Sequence, residues 1–164
     1  MTMNAMTREQ ADWVSGQTPA DTSTTPLVAQ DSATASLLHT VERWTTHGWL
    51  RSLDQALVLF LHELDPQASP LVLLAAALAS HQLGRGHVCL DLQATLDNSR
   101  FALSLPPDTA VQGTGATEAT PLPLPSELLA NVTLPHWQGA LLASSLVAAD
   151  GKTTQGGTPL VLQG

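Results

Sequence analysis

Residues 69 to 92 read SPLVLLAAALASHQLGRGHVCLDL, and the fold turns on how this stretch is read. Pro70 suits the first position of a helix, where its missing N–H costs nothing, and Ser69 before it is a capping residue. Leu71, Leu73, Leu74, Leu78 and Ala75 to Ala77 follow, good helix formers with hardly a polar atom among them. Gly84 and Gly86 then read as the end of the helix, because glycine takes positive φ without steric cost. Beyond them the period changes to two, with Val88, Leu90 and Leu92 facing one way and His87, Cys89 and Asp91 the other. The expectation is a buried central helix, a glycine corner and a short extended segment that closes the core.

Working outward, Ser36 to His47 reads as a helix with Leu37, Leu38, Val41 and Trp44 in one stripe, ended by Gly48. A capping box of Ser52 and Gln55 opens the next helix. It runs to about Leu64, with Leu53, Leu57, Phe60, Leu61 and Leu64 on its inner face, and Asp65-Pro66 breaks it. The short connection predicts that this helix and the central one pack as antiparallel neighbours. After Leu92 a short helix is expected over 93–96. Phe101, Leu103 and Leu105 alternate as one half-buried extended segment. Residues 106–125 form a proline-rich loop, in which Pro121, Pro123 and Pro125 favour an extended course. Ser126 caps a short helix to about Ala130. Pro135 opens the last helix, with Trp137, Leu141, Leu142, Ser145 and Leu146 inward. Residues 149–158 are polar and glycine-rich, and Leu160 to Leu162 begin a strand at which the chain stops, as in a fragment. Residues 1–34 are rich in Thr, Ser, Ala, Gln and Asp without an apolar period, and read as a disordered tail. The fold class is therefore mainly α: one small helical domain over 35–164, with one or two short extended segments.

Composition narrows the function. A chain of 164 residues suffices for one domain with its own core. Its formal charge is −8 with only six basic residues, whereas a free nucleic-acid binder needs a basic footprint to meet phosphate. A single cysteine excludes an internal disulfide framework and fits a reducing cytoplasm. Met1 to Met6 lead into no secretory signal, and the apolar run Leu71 to Ala79 is far short of the ~20 residues that span a bilayer.

The candidate chemistry is thin. Gly151-Lys152-Thr153 resembles the tail of a phosphate-binding loop, but position 146 is Leu where that motif needs glycine, and no helix can start at Gln155-Gly156-Gly157. A zinc site from His81, His87, Cys89 and Asp91 lacks the paired close spacings that zinc prefers. A Cys89–His87 dyad lacks an oriented base and an oxyanion site, so Cys89 reads as a small buried hydrophobe and His87 as a partner for a helix end or backbone carbonyl. Asp54, Glu63, Asp65 and Asp91 form no acid–base pair, and Asp54 reads as a first-turn acid favoured by the helix dipole. Trp44, Trp49 and Trp137 read as core anchors. Base-stacking platforms would need a cationic groove, and only Arg43, Arg51, Arg85 and Arg100 are near in sequence. No catalytic, cofactor-binding or metal residue is assigned.

The run LLAAALASHQLGRGHVCLDL nevertheless resembles the amino-terminal region of the alpha subunit of exodeoxyribonuclease V, the RecD subunit of the RecBCD helicase–nuclease. The resemblance lies in the Ala/Leu helix, Ser80-His81, Gly84 and Gly86, and His87 to Leu90. Trp49-Leu50-Arg51-Ser52-Leu53-Asp54, Trp137 to Val147, and Pro159 to Leu162 extend it over about 36–164, with 106–125 as an insertion-like departure. The resemblance implies an assembly domain that contacts a RecC-like gamma subunit within a complex that also holds a RecB-like beta subunit. ATP and Mg belong to later motor domains of a 5′ to 3′ DNA helicase, absent from this chain, and DNA is met only through the complex. Whether the chain counts as an enzyme is left open by the residues, because the full subunit hydrolyses ATP and these residues carry no motif for it. The competing reading is a stand-alone adaptor or regulatory domain, and a third would use His87 and Cys89 in catalysis. For the partner surface, the candidates are Trp49 to Leu53 and the proline-rich loop.

Overall fold

The computed structural model describes residues 25–107, 121–149 and 157–163. Helix α3 (Pro70–Gly84) is the axis of the domain. Nine of its fifteen residues are buried, from Val72 to Leu78 and then His81 and Gln82. Burial on all sides explains why this helix has no polar face. Around it pack α1 (Thr25–Thr46), α2 (Ser52–Leu64), α5 (Ser99–Leu103) and α7 (Leu134–Leu142). Two short helices, α4 (Leu92–Asp97) and α6 (Pro125–Leu128), fill in between them. Two three-residue strands, β1 (Val147–Ala149) and β2 (Leu160–Leu162), form a parallel pair with Val147 opposite Leu160. The class is mainly α. No described helix is long and apolar enough to cross a membrane.

The ends of α1 and α3 are built alike. At α1 the N–H of Trp49 reaches the Trp44 carbonyl at 2.8 Å and that of Gly48 reaches Thr45 at 3.0 Å. At α3 the N–H of His87 reaches Gln82 at 3.0 Å and that of Gly86 reaches Leu83 at 3.1 Å. Both are Schellman turns, and each places its glycine at positive φ, +74° for Gly48 and +92° for Gly86. The first turn adds the apolar contact that often accompanies this motif: the rings of Trp44 and Trp49 stack with centroids 6.1 Å apart. At the other end of α3 the Ser69 hydroxyl accepts from Leu71 N–H, as its position before Pro70 predicts.

Several expectations are corrected. Helix α1 begins at Thr25, so residues 25–34 are helical rather than tail, and Thr34 continues the buried stripe of Leu37, Val41 and Trp44. Residues 1–24 lie outside the described residues. In α2 the period is right but the face is rotated: Asp54, Val58 and Leu61 point inward. Leu53, Phe60 and Leu64 are 65%, 52% and 56% exposed. The cap is Arg51 with Asp54 returning to its N–H, not Ser52 with Gln55. The segment after α3 is not a strand that closes the core: Val88 is 94% exposed, and Cys89 is exposed rather than buried. Phe101 to Leu103 belong to a helix, because the Asn98 side chain caps α5 through Phe101 N–H; Phe101 then points out while Leu103 and Leu105 are buried. Helix α6 is capped at Leu124, whose N–H is held by Glu127, rather than at Ser126. Helix α7 stops at Leu142, which is exposed with Ser145, while Trp137, Leu141 and Leu146 are buried.

The described end of the proline-rich loop lies across α1. The Trp44 indole N–H donates to the Pro123 carbonyl at 2.8 Å, and Arg43 donates to that of Pro121. Prolines cannot donate, but their carbonyls are free to accept, which is how a ladder-incompatible sequence still docks. At the far side the Trp137 indole N–H donates to the Leu71 carbonyl at 3.0 Å. Each large ring is thus buried with its one polar atom satisfied.

Candidate docking surface and the polar lock beside it

Three consecutive residues near the end of α3 each hold a different neighbour. Ser80 donates its hydroxyl to Asp54 Oδ1 of α2 at 2.6 Å. His81 Nε2–H donates to the Leu103 carbonyl of α5 at 3.1 Å, which fixes its tautomer because a carbonyl only accepts. Gln82 Nε2 donates to the Ala102 carbonyl, and its Oε1 is buried without a partner. Burial of polar groups in the last turns of an Ala/Leu helix would be costly without such partners.

Asp54 is the hub. Its side chain has no exposed surface, and it accepts from Arg51 backbone N–H at 2.8 Å, Arg51 Nη2 at 2.6 Å, Arg51 Nε at 3.2 Å and Ser80. Burial pushes its carboxyl up. The bonds from Arg51, Ser80 and the backbone, together with the guanidinium charge, outweigh that and hold it below its ordinary value. The same pairing raises Arg51. Arg51 also donates to the Ser80 carbonyl at 2.7 Å and lies over Gly84, so that a methyl added at Gly84 would meet its guanidinium. Gly84 therefore serves close approach inside the helix, while the turn itself is made at Gly86.

That geometry predicts a reversal of sign. Gly84→Ala alone is expected to lower stability by about 1 kcal/mol, because displacing Arg51 outweighs the ~1 kcal/mol that alanine gains over glycine in a helix. In an Arg51→Ala background the same change is expected to stabilise by about 1 kcal/mol. Denaturant melts of the four proteins measure this coupling, and two equal effects would refute it.

Burial lowers the His81 pKa from the ordinary 6.5, against the opposing pull of the Leu103 carbonyl and the Asp54 charge. The folded state thus keeps His81 neutral while the unfolded chain takes up a proton. Its contribution is complete above the unfolded value and declines as pH falls from there towards the lower folded value. The melting temperature is expected to drop as pH falls below the ordinary histidine value of 6.5. His81→Gln should flatten that slope, as thermal melts at several pH values would register.

The other sequence candidates do not converge. His87 and Cys89 are exposed in the segment after α3. Asp91 caps α4 through Ala94 N–H, and Asp65 accepts from Gln67 N–H and from the Ser145 hydroxyl. Glu63 and Arg85 are exposed. Among the described residues no three His, Cys, Asp or Glu side chains group as a metal site. Gly151, Lys152 and Thr153 lie outside the described residues. Of the apolar residues in the expected partner stretch Trp49 to Leu53, Trp49 and Leu50 are buried and Leu53 is open. A groove of about 680 Å³ runs between α3, α7, residues 88–93 and the β-pair, and α2 reaches it through Leu57. Its walls include Leu57 and Leu83, and its floor Ala75, Ala76 and Ala79.

Fold and site together define a small helical domain, locked internally by a buried carboxylate and open along the apolar side of α2. Residues 46–164 match the family described as the RecBCD enzyme subunit RecD, N-terminal domain. The chain belongs to that family. No curated protein and no solved structure gives a significant match.

Proposed function

We propose that this domain is an assembly domain: the docking part of a RecD-like subunit of exodeoxyribonuclease V, seated on a RecC-like gamma subunit. Family membership over 46–164 carries the reading. The apolar side of α2, left open by a domain that buries its own core well, supports it, since exposed contiguous apolar surface marks sites of association. On this reading the RecB-like beta subunit and DNA are met through the complex. ATP and Mg are used by helicase motor domains elsewhere in the subunit, and the work is cytoplasmic repair and recombination at double-strand breaks.

Co-expression of the 164-residue chain with its cognate gamma subunit, followed by sizing, tests the proposal. A stoichiometric complex that forms without ATP or DNA is the expected result. A folded chain that elutes alone would turn the reading towards a stand-alone adaptor.

A further inference from the structure

The geometry points to the open seam of α2 as the seat of a basic-flanked amphipathic helix of the gamma subunit, an inference that rests on the docking role proposed above. The seam is Leu53, Leu57, Phe60 and Leu64, spaced four, three and four, the spacing with which apolar side chains meet a second helix. Its three most open members are more than half exposed. Leu57 is half-buried and turns into the groove floored by Ala75, Ala76 and Ala79 of α3. The thirteen residues of α2 give a contact about 20 Å long.

Charge selects the occupant. The exposed charged group on α2 is Glu63, and the helix carries no Lys or Arg. Asp91 is the charged residue in the groove lining, and Arg51 at the head of the helix is already held by Asp54 and the Ser80 carbonyl. A helix whose apolar face is bordered by Lys or Arg complements this seam. A second copy of a chain with formal charge −8 does not.

Binding of the 164-residue chain to the gamma subunit provides the test, with three variants that alter exposed positions and whose folding is checked by thermal melts. Leu53→Asp with Phe60→Asp is expected to weaken binding roughly 30-fold or more, as loss of central apolar anchors does. Glu63→Lys is expected to weaken it several-fold, with a smaller dependence on salt. Phe101→Asp, on α5 outside the groove, is expected to bind as the parent does. If the double variant fails to fold, Glu63→Lys alone decides: unchanged affinity and salt dependence overturn the seam. If the parent binds and both seam variants bind equally well, the seam is wrong while the docking role stands. If the parent does not bind, both fall. A dimer of the chain alone that the double variant dissolves would assign the seam to a second copy instead.

Discussion

Trp44→Ala is expected to cost about 4 kcal/mol of folding stability, within the range for deleting a buried aromatic side chain. Three losses coincide at this residue. The ring has no exposed surface, it stacks on Trp49 at the end of α1, and its indole N–H holds the Pro123 carbonyl. Trp44→Phe separates them, because phenylalanine keeps an apolar ring but cannot donate. It is expected to cost roughly 2 kcal/mol, by one lost hydrogen bond and a smaller cavity. Urea titration gives both numbers, and a Trp44→Phe cost near zero would show that the hydrogen bond to the proline segment contributes nothing.

Asp54→Ala is expected to cost about 3 kcal/mol near neutral pH, from the loss of a helix cap and of charge-assisted bonds whose other partners stay in place. The cost stays below that of breaking a fully buried ion pair because the Arg51 side chain is 46% exposed. The sign of its pH dependence follows from the depressed carboxyl. The stabilisation is complete above the ordinary carboxylate value of 3.8 and is lost as pH falls through the lower folded value. The difference between parent and variant should therefore shrink in acid. A difference that stayed constant down to pH ~2 would mean that Asp54 acts by shape rather than by charge.

Asp54 also explains what the sequence conceals. Helix α3 is legible because its apolar run, proline start and glycine end agree, while α1 shows an apolar stripe ended by Gly48, α2 an apolar spacing broken by Asp65-Pro66, and α7 a proline start. The face of α2 is not legible, because a charged residue occupies its inner stripe and an apolar-face rule assigns Asp54 outward. Once Asp54, Val58 and Leu61 are inside, Leu53, Phe60 and Leu64 must be outside, and the helix sheds its most obvious hydrophobic stripe to solvent. Asp54 turns inward to a long-range partner, Ser80, and nothing local announces that pairing. The same limit applies at Phe101, Leu103 and Leu105, where alternation mimics a strand while the Asn98 cap makes a one-turn helix. It applies again at Cys89, where the usual burial of free cysteine fails because the Schellman turn at Gly86 is followed by a surface segment. The parallel pairing of β1 with β2 has no local signature either, since it joins residues on either side of a polar, glycine-rich stretch.

The neighbour relations of α3 also have a temporal meaning. Its contacts with α1 and α2 join helices that follow one another directly, whereas the proline segment reaches Trp44 across 79 residues. Local contacts form early and distant ones late. During synthesis, the three helices up to Gly84 can assemble before the closing segment has been made, and the outward row of α2 is finished with them. The proline segment then arrives as a late fastening on α1. A partner that captures the emerging chain would meet the α2 row before α7 and the β-pair have closed the groove beside it.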